Sequence, residues 1–383
     1  LERRDKKWKV LWAQETHPIS TRQYHSFAKA SNHSFKEGKM KNIKKISILL
    51  LVFSLCVFLS APAFAAKKPL IIYTSMETDE TVEYMKLARE ELPDLDLKII
   101  RLSTGELGAR MLAERTNPQA DVVWGWAVTN MEDFRDRGLL EKYKPNGWEK
   151  IPARFKDPNG YWTAIDLYTA CFVLNTRVMA KENLPKPKTW RDLLNPVYKD
   201  KLIMPNPASS GTGLLQVASL LEMLDPDYAK KPVKKNKGWE FLEKLDKNMG
   251  QYIKSGSKPA KLTAAGEYAI GCSFAFVYAS LKKKGFPVEM VFPGEGAGYE
   301  LESNALLKGA KHVTAAKKFL DWAISESAMR EYAKWKLGVT LPGIPGPATL
   351  PNLETIKLAP MDFPWQATNR GELLVTWQDK FLR

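Results

Sequence analysis

The chain is poor in the residues that build metal sites and activated nucleophiles. It has four histidines in 383 residues, and three of them, His17, His25 and His33, precede Met40. It has three cysteines, Cys56, Cys171 and Cys272. Beyond residue 65, one histidine (His312) and two cysteines remain, too few for a Cys/His metal site. No Gly-x-Ser-x-Gly elbow is present, and no histidine is spare to activate a serine. The sequence therefore reads as a non-enzyme without metal or cofactor. No internal repeat or long low-complexity tract occurs.

Long apolar runs are also scarce. The one exception, Ile46 to Leu59, follows Lys41, Lys44 and Lys45 and precedes Ala63-Phe64-Ala65. A basic head, a short apolar core and a small-x-small exit predict a secretory signal peptide over 40–65, cleaved after Ala65. The run is short for a membrane span. Leu55 before Cys56 argues against a lipid anchor. Residues 1–39 lie upstream of Met40 and are expected to be a start-site extension, disordered if made. The expected location is the periplasm. Export permits a disulfide, and spacing leaves both a Cys171–Cys272 bridge and two buried thiols open.

The formal net charge is +15, but residues 1–65 hold 12 basic and 4 acidic residues. The remaining 318 residues carry 46 basic and 39 acidic, a balance of +7. That suits a small anionic ligand and does not argue for nucleic acid. The lysines at 230, 231, 234, 235, 237 and 282–284 read as solvated surface.

What is present is a repeated strand–turn–helix pattern. Leu70 to Tyr73, Leu95 to Ile99 and Asp121 to Trp124 read as strands. Thr78 to Glu91 and Glu106 to Arg115 read as helices between them. Strand-like sequence from Tyr161 to Asn175, a helix near Trp190 to Leu194, a helix over Thr314 to Lys336 and a last helix ending near Arg383 complete the pattern. This predicts an α/β fold with ligands at the carboxyl ends of the strands. The length suits two lobes.

The most informative run is Pro205 to Gly213. It follows the strand Leu202-Ile203-Met204 and opens into the apolar helix from Leu214 to Leu221. Ser209, Ser210, Gly211 and Thr212 put hydroxyls and backbone N–H groups at a helix N-terminus, which makes an anion cradle. An ordinary N-cap explains the same residues. The run lacks the Gly-Lys-Ser/Thr ending of a P-loop. Ser103 to Glu106 fits a capping box as readily as a ligand contact.

These motifs, together with Leu70 to Glu77, Pro118 to Gly125, Ser255 to Pro259 and Phe292 to Glu300, resemble the periplasmic solute-binding proteins of ABC importers. Within their iron-binding-like cluster the chain is most similar to 2-aminoethylphosphonate-binding proteins. The resemblance implies a two-lobed Venus-flytrap fold of type 2. It implies lobe 1 at 66–165 plus 300–383 and lobe 2 at 166–299, with crossings near Asp166 to Ala170 and Tyr299-Glu300. It implies a monomer that hands its ligand to a permease in the inner membrane. The phosphonate candidates are Ser103, Thr104 and Gly105 from lobe 1, and Ser209, Ser210, Gly211, Thr212 and Ser257 from lobe 2. The amine and wall candidates are Glu77, Asp166, Tyr73, Trp124 and Tyr168. Other readings are a helix-dipole role for Glu77, a hinge salt bridge for Asp166 and core packing for Trp124. Iron relatives use adjacent tyrosines, and no Tyr-Tyr pair occurs here. Thiamine, polyamine and sulfate relatives stay open. Outside the family, the alternatives are a secreted phosphonate or phosphate hydrolase and an adhesive exported protein.

Overall fold

A computed structural model describes residues 67–381, so the signal peptide and the upstream extension lie outside the described residues. Strands and helices alternate. They run β1 (Lys68–Thr74), α1 (Thr78–Glu91), β2 (Leu95–Arg101), α2 (Thr104–Ala113), β3 (Val122–Ala127), α3 (Val128–Asp136) and β4 (Leu140–Glu141). Next come β5 (Thr163–Asn175), α4 (Thr176–Lys181), β6 (Leu202–Pro205), α5 (Gly211–Leu224), α6 (Gly238–Asp246) and β7 (Met249–Ile253). They are followed by α7 (Lys258–Ala265), β8 (Ile270–Phe274), α8 (Ala275–Lys283), β9 (Val288–Val291) and β10 (Tyr299–Leu307). The chain closes with α9 (Val313–Ala323), α10 (Glu326–Tyr332), β11 (Gly338–Val339) and α11 (Phe363–Phe381).

The sheet order is β2-β1-β3-β10-β5-β8-β6-β7. β1, β2 and β3 pair in parallel, as do β7, β6 and β8. Between these two parallel halves lie β5 and β10, which pair antiparallel with each other. β5 pairs with β10 through Thr169 and then with β8 from Ala170 onward. One strand thus belongs to both halves, and all thirteen of its residues are buried. That explains why it reads as continuous apolar sequence rather than alternation. The α/β class expected from the sequence is what forms, as two half-sheets joined by shared strands.

Each half has its own apolar core. Leu70, Ile72, Val122, Trp124, Phe319 and Tyr332 belong to the first half, and Phe172, Leu202, Met204, Leu221 and Trp239 to the second. Leu373 and Trp377 of α11 join the second core, although the sequence division put 300–383 with lobe 1. The same helix packs along α3 of the first half.

Two helices differ from their expected extents. The stretch from Thr314 to Lys336 breaks at Ile324, because the Ser325 hydroxyl accepts from Ala328 N and starts a new helix. Near Trp190 only a short 3-10 turn forms, Asp192–Leu194, with Pro196 close behind.

The strand register answers the cysteine question. Cys171 lies opposite Ser273, and Phe172 lies opposite Cys272. Successive side chains point to opposite faces, so the two thiols face different cores. Both are buried and free. Burial pushes the Cys272 thiol up to about 12 and Cys171 well above its usual value. Without reductant, neither cysteine should react with a thiol reagent in the native state, and both should react after unfolding. A blocked pair after unfolding would contradict this register.

Candidate functional site

The connection after each parallel strand delivers a helix N-terminus to one place. Glu77 after β1, Ser103 after β2 and Ala127 after β3 are the N-caps of α1, α2 and α3. Ser210, Ser257 and Phe274 cap α5, α7 and α8 from the other half. A cavity of about 40 Å³ lies where these six ends converge, between the halves. Unpaired N–H groups and aligned dipoles make such a place electropositive.

The hydroxyl side of the cavity comes from both halves. Ser103 and Thr104 line it from the first, and Ser210 and Thr212 from the second. Ser210 Oγ also accepts from Gly213 N at 3.3 Å. Arg101, the last residue of β2, adds a guanidinium. Its Nε donates to Met76 O at 3.0 Å, and its NH2 group donates to Glu77 Oε1 at 2.9 Å.

Some helix-end donors are already engaged. Glu300 is buried and accepts from Thr129 Oγ1 at 3.0 Å, at the start of α3. Burial pushes its carboxyl up to about 8, although hydrogen bonds from Leu301 and the first residues of α3 oppose the rise. α1 is closed locally, by Glu77 N donating to Glu80 Oε1 at 2.8 Å. α2 and α5 also spend one N–H each, Gly105 N on Ser209 O and Gly213 N on Ser210 Oγ, and both bring hydroxyls to the cavity wall.

The acidic side of the cavity is Glu77, Glu80 and Glu302. Behind it lies Lys336, fully buried, with its Nζ 2.7 Å from both Glu80 Oε2 and Glu302 Oε2. Asp166 completes the cluster from β5, directly opposite Glu302 in the strand ladder. Burial raises all three carboxyls against the pull of Lys336, Glu80 and Asp166 to about 7 and Glu302 to about 8. Tyr168 and Phe274, with ring centres 5.8 Å apart, and Phe276 form the aromatic wall.

The halves touch across the cavity mouth. Gly105 N donates to Ser209 O at 3.2 Å, and Ser257 Oγ donates to Glu77 Oε2 at 3.0 Å. A Cβ at Gly105 would come within 2.4 Å of Ala208 O, so only glycine allows this approach. Lys284 pairs with Asp79 at 3.2 Å, and Lys254 pairs with Glu106.

Of the thirteen residues expected to form the site, the structure puts Glu77, Ser103, Thr104, Tyr168, Ser210 and Thr212 on the cavity wall. The others need correction. Gly105 and Ser209 bond each other through the backbone, and the Ser209 hydroxyl turns to Lys254 O at 2.9 Å. Gly211 packs toward Thr104. The Ser257 hydroxyl is committed to Glu77. Tyr73 points away, its hydroxyl donating to Glu114 and its ring under Arg110. Trp124 is core, its Nε1 donating to the Tyr332 hydroxyl at 3.2 Å. Asp166 lies beneath the wall, by Lys336. Arg101, Ser75, Glu80, Glu302 and Phe276 were not anticipated. Arg101 carried a usable signal, a lone cation at a strand end two residues before a Ser cap.

Among the described residues, no group of His, Cys, Asp or Glu is arranged to hold a metal ion. No helix among them is long and apolar enough to cross a membrane.

The family profile of bacterial extracellular solute-binding proteins matches residues 117–359. A probable ABC transporter periplasmic-binding protein, y4fP of Sinorhizobium fredii, is 27% identical over 86% of this chain and 90% of its own. A putative 2-aminoethylphosphonate-binding periplasmic protein of Salmonella typhimurium is 23% identical over 61% of this chain and 66% of its own. Among solved structures, the periplasmic binding protein AfuA from Actinobacillus pleuropneumoniae, with fructose-6-phosphate bound, superposes with a TM-score of 0.76. It is 30% identical, over 83% of this chain and 99% of that one.

The cluster sets a pH dependence. Between the ordinary carboxyl values of 3.8 to 4.5 and the folded values near 7 to 8, the native state holds more protons than the unfolded one. Stability therefore falls as pH rises through that window and levels off above it. Lys336→Met should cost roughly 3–5 kcal/mol at pH 8, because it strands buried carboxylates. At pH 5, where they are neutral, the cost should be smaller. Urea unfolding at the two pH values measures both, and equal costs would contradict the cluster.

Proposed function

The chain belongs to the bacterial extracellular solute-binding proteins, the periplasmic binding components of ABC transporters, and on that premise we propose that its ligand is 2-aminoethylphosphonate. The observation that carries this reading is the division of one small cavity into two chemistries. Helix N-termini, four hydroxyls and Arg101 suit a phosphonate, which needs several donors around its oxygens. Glu77, Glu302 and the aromatic wall suit a primary ammonium.

One observation supports a second reading within the same class. AfuA holds fructose-6-phosphate, and a hexose phosphate also combines a phosphoryl group with donors for carboxylates. In that case the halves must stand further apart around the sugar.

Capture works by closure. A ligand that touches both halves shifts the open–closed balance by its differential affinity for the two states. The protein acts as a monomer, and the closed form is what an inner-membrane permease meets. Tyrosine pairs of the iron-binding kind are absent from the sequence, so Fe(III) does not fit this wall.

Calorimetry with 2-aminoethylphosphonate, fructose-6-phosphate and inorganic phosphate should give the tightest binding with the first. Ser210→Ala with Thr212→Val should weaken it about tenfold or more, since hydrogen bonds to a charged oxygen are worth roughly 1.5–3 kcal/mol each. Tighter binding of fructose-6-phosphate selects the second reading. No binding of either organic ligand rejects both.

A further inference from the structure

The ligand reading leaves Lys336 and Asp166 without a task. Both are fully buried, and they lie at the floor of the cavity, behind Glu80 and Glu302. The cluster draws on four separate segments. Glu80 comes from α1, Asp166 from β5, Glu302 from β10 and Lys336 from the segment before β11. Three carboxyls share one ammonium, so full ionisation would leave two uncompensated negative charges out of water.

Asp166 shows how that excess is relieved. It faces Glu302 across the ladder, where like charges repel. Neither of its carboxyl oxygens meets a hydrogen-bond donor from another residue, although both are fully buried. Two carboxyls that face each other in a dry site avoid repulsion by sharing a proton.

The charged neighbours on the same wall, Arg101 and Glu77, are paired with each other at 2.9 Å. The Tyr84 hydroxyl donates to Glu80 Oε2 at 3.0 Å. Tyr332 from α10 and Tyr168 from β5 are neutral, since burial holds both hydroxyls well above their usual value. From α8, Phe276 lies 4.1 Å from Lys336 Nζ with its ring face. Glu300, on the same strand as Glu302, is turned toward α3.

We propose that this cluster is a proton-binding site that couples capture of the ligand to release of a proton to solvent. The proton leaves the carboxylic acid shared by the Asp166–Glu302 pair and a carboxylate remains. No bond of the ligand changes. The ammonium of the ligand stands next to Glu302 and favours its charged form, so the pair gives up the proton more readily when the cavity is filled. By the same linkage, higher pH tightens binding, by at most about tenfold per pH unit for one proton. The coupling rests on the proposed ligand, whereas the proton site itself does not.

Asp166→Asn tests the idea, because Asp166 lies off the cavity wall and the change is isosteric. Calorimetry with 2-aminoethylphosphonate and fructose-6-phosphate, in buffers of different ionisation enthalpy, counts the protons exchanged. The ligand's own titration is common to both proteins and cancels in the difference. Wild type should release more proton per ligand than Asp166→Asn, and its affinity should rise more steeply from pH 6 to pH 8. Identical proton counts with intact binding overturn the coupling. Infrared spectra of the ligand-free protein decide the proton site separately. A protonated carboxyl band at pH 7 that disappears in Asp166→Asn supports it, and absence of that band in wild type overturns the proposal. If neither ligand binds, the ligand reading fails and the infrared result alone decides the cluster.

Discussion

The ion cluster around Lys336 is the constraint on which the arrangement of this molecule depends. It ties the first helix to both crossing strands and to the segment leading into β11, through contacts made out of water. Burial of charge is costly unless it is paired, and here the pairing is incomplete by design of the strand register. The cluster therefore fixes where α1 begins. That in turn fixes Glu77, Arg101 and the cavity wall they share.

The cavity follows from topology more than from any single residue. Two parallel half-sheets are joined edge to edge by antiparallel strands, so the carboxyl ends of six strands face one cleft. Each strand end passes into a helix, and each helix start brings unpaired donors. The sequence then differentiates these equivalent ends. A carboxylate fills the start of α3, a local bond closes α1, and α2 and α5 bring small hydroxyl residues to the wall.

Much of this was legible in the chain. Alternating strands and helices gave the α/β class, and Ser-Ser-Gly-Thr after a short apolar strand marked a helix end that does reach the cavity. The errors share a physical origin. Tyr73 lies next to the end of β1 and Trp124 lies inside β3, which runs on to Ala127; side chains alternate across a strand, and position alone does not say which face they take. Ser209 and Gly105 lie beside the right residues, yet their backbone groups satisfy each other. The Lys336 cluster was invisible because its members are far apart in sequence and each resembles an ordinary solvated charge. Only the pairing of β5 with β10 brings Asp166 and Glu302 together.

The last helix has a mechanical consequence. Besides β5 and β10, α11 is a third element that both halves share. Its Leu373 and Trp377 are embedded in the second core, its Gln366 donates to Glu222 of α5 at 2.7 Å, and its length runs along α3 of the first half. Phe363 at its start packs on Tyr299, where β10 begins. A rotation that parts the cavity walls must use these contacts as its pivot or break them. A cleft opened by such a rotation would part like a book with a reinforced spine, widest on the side away from these contacts.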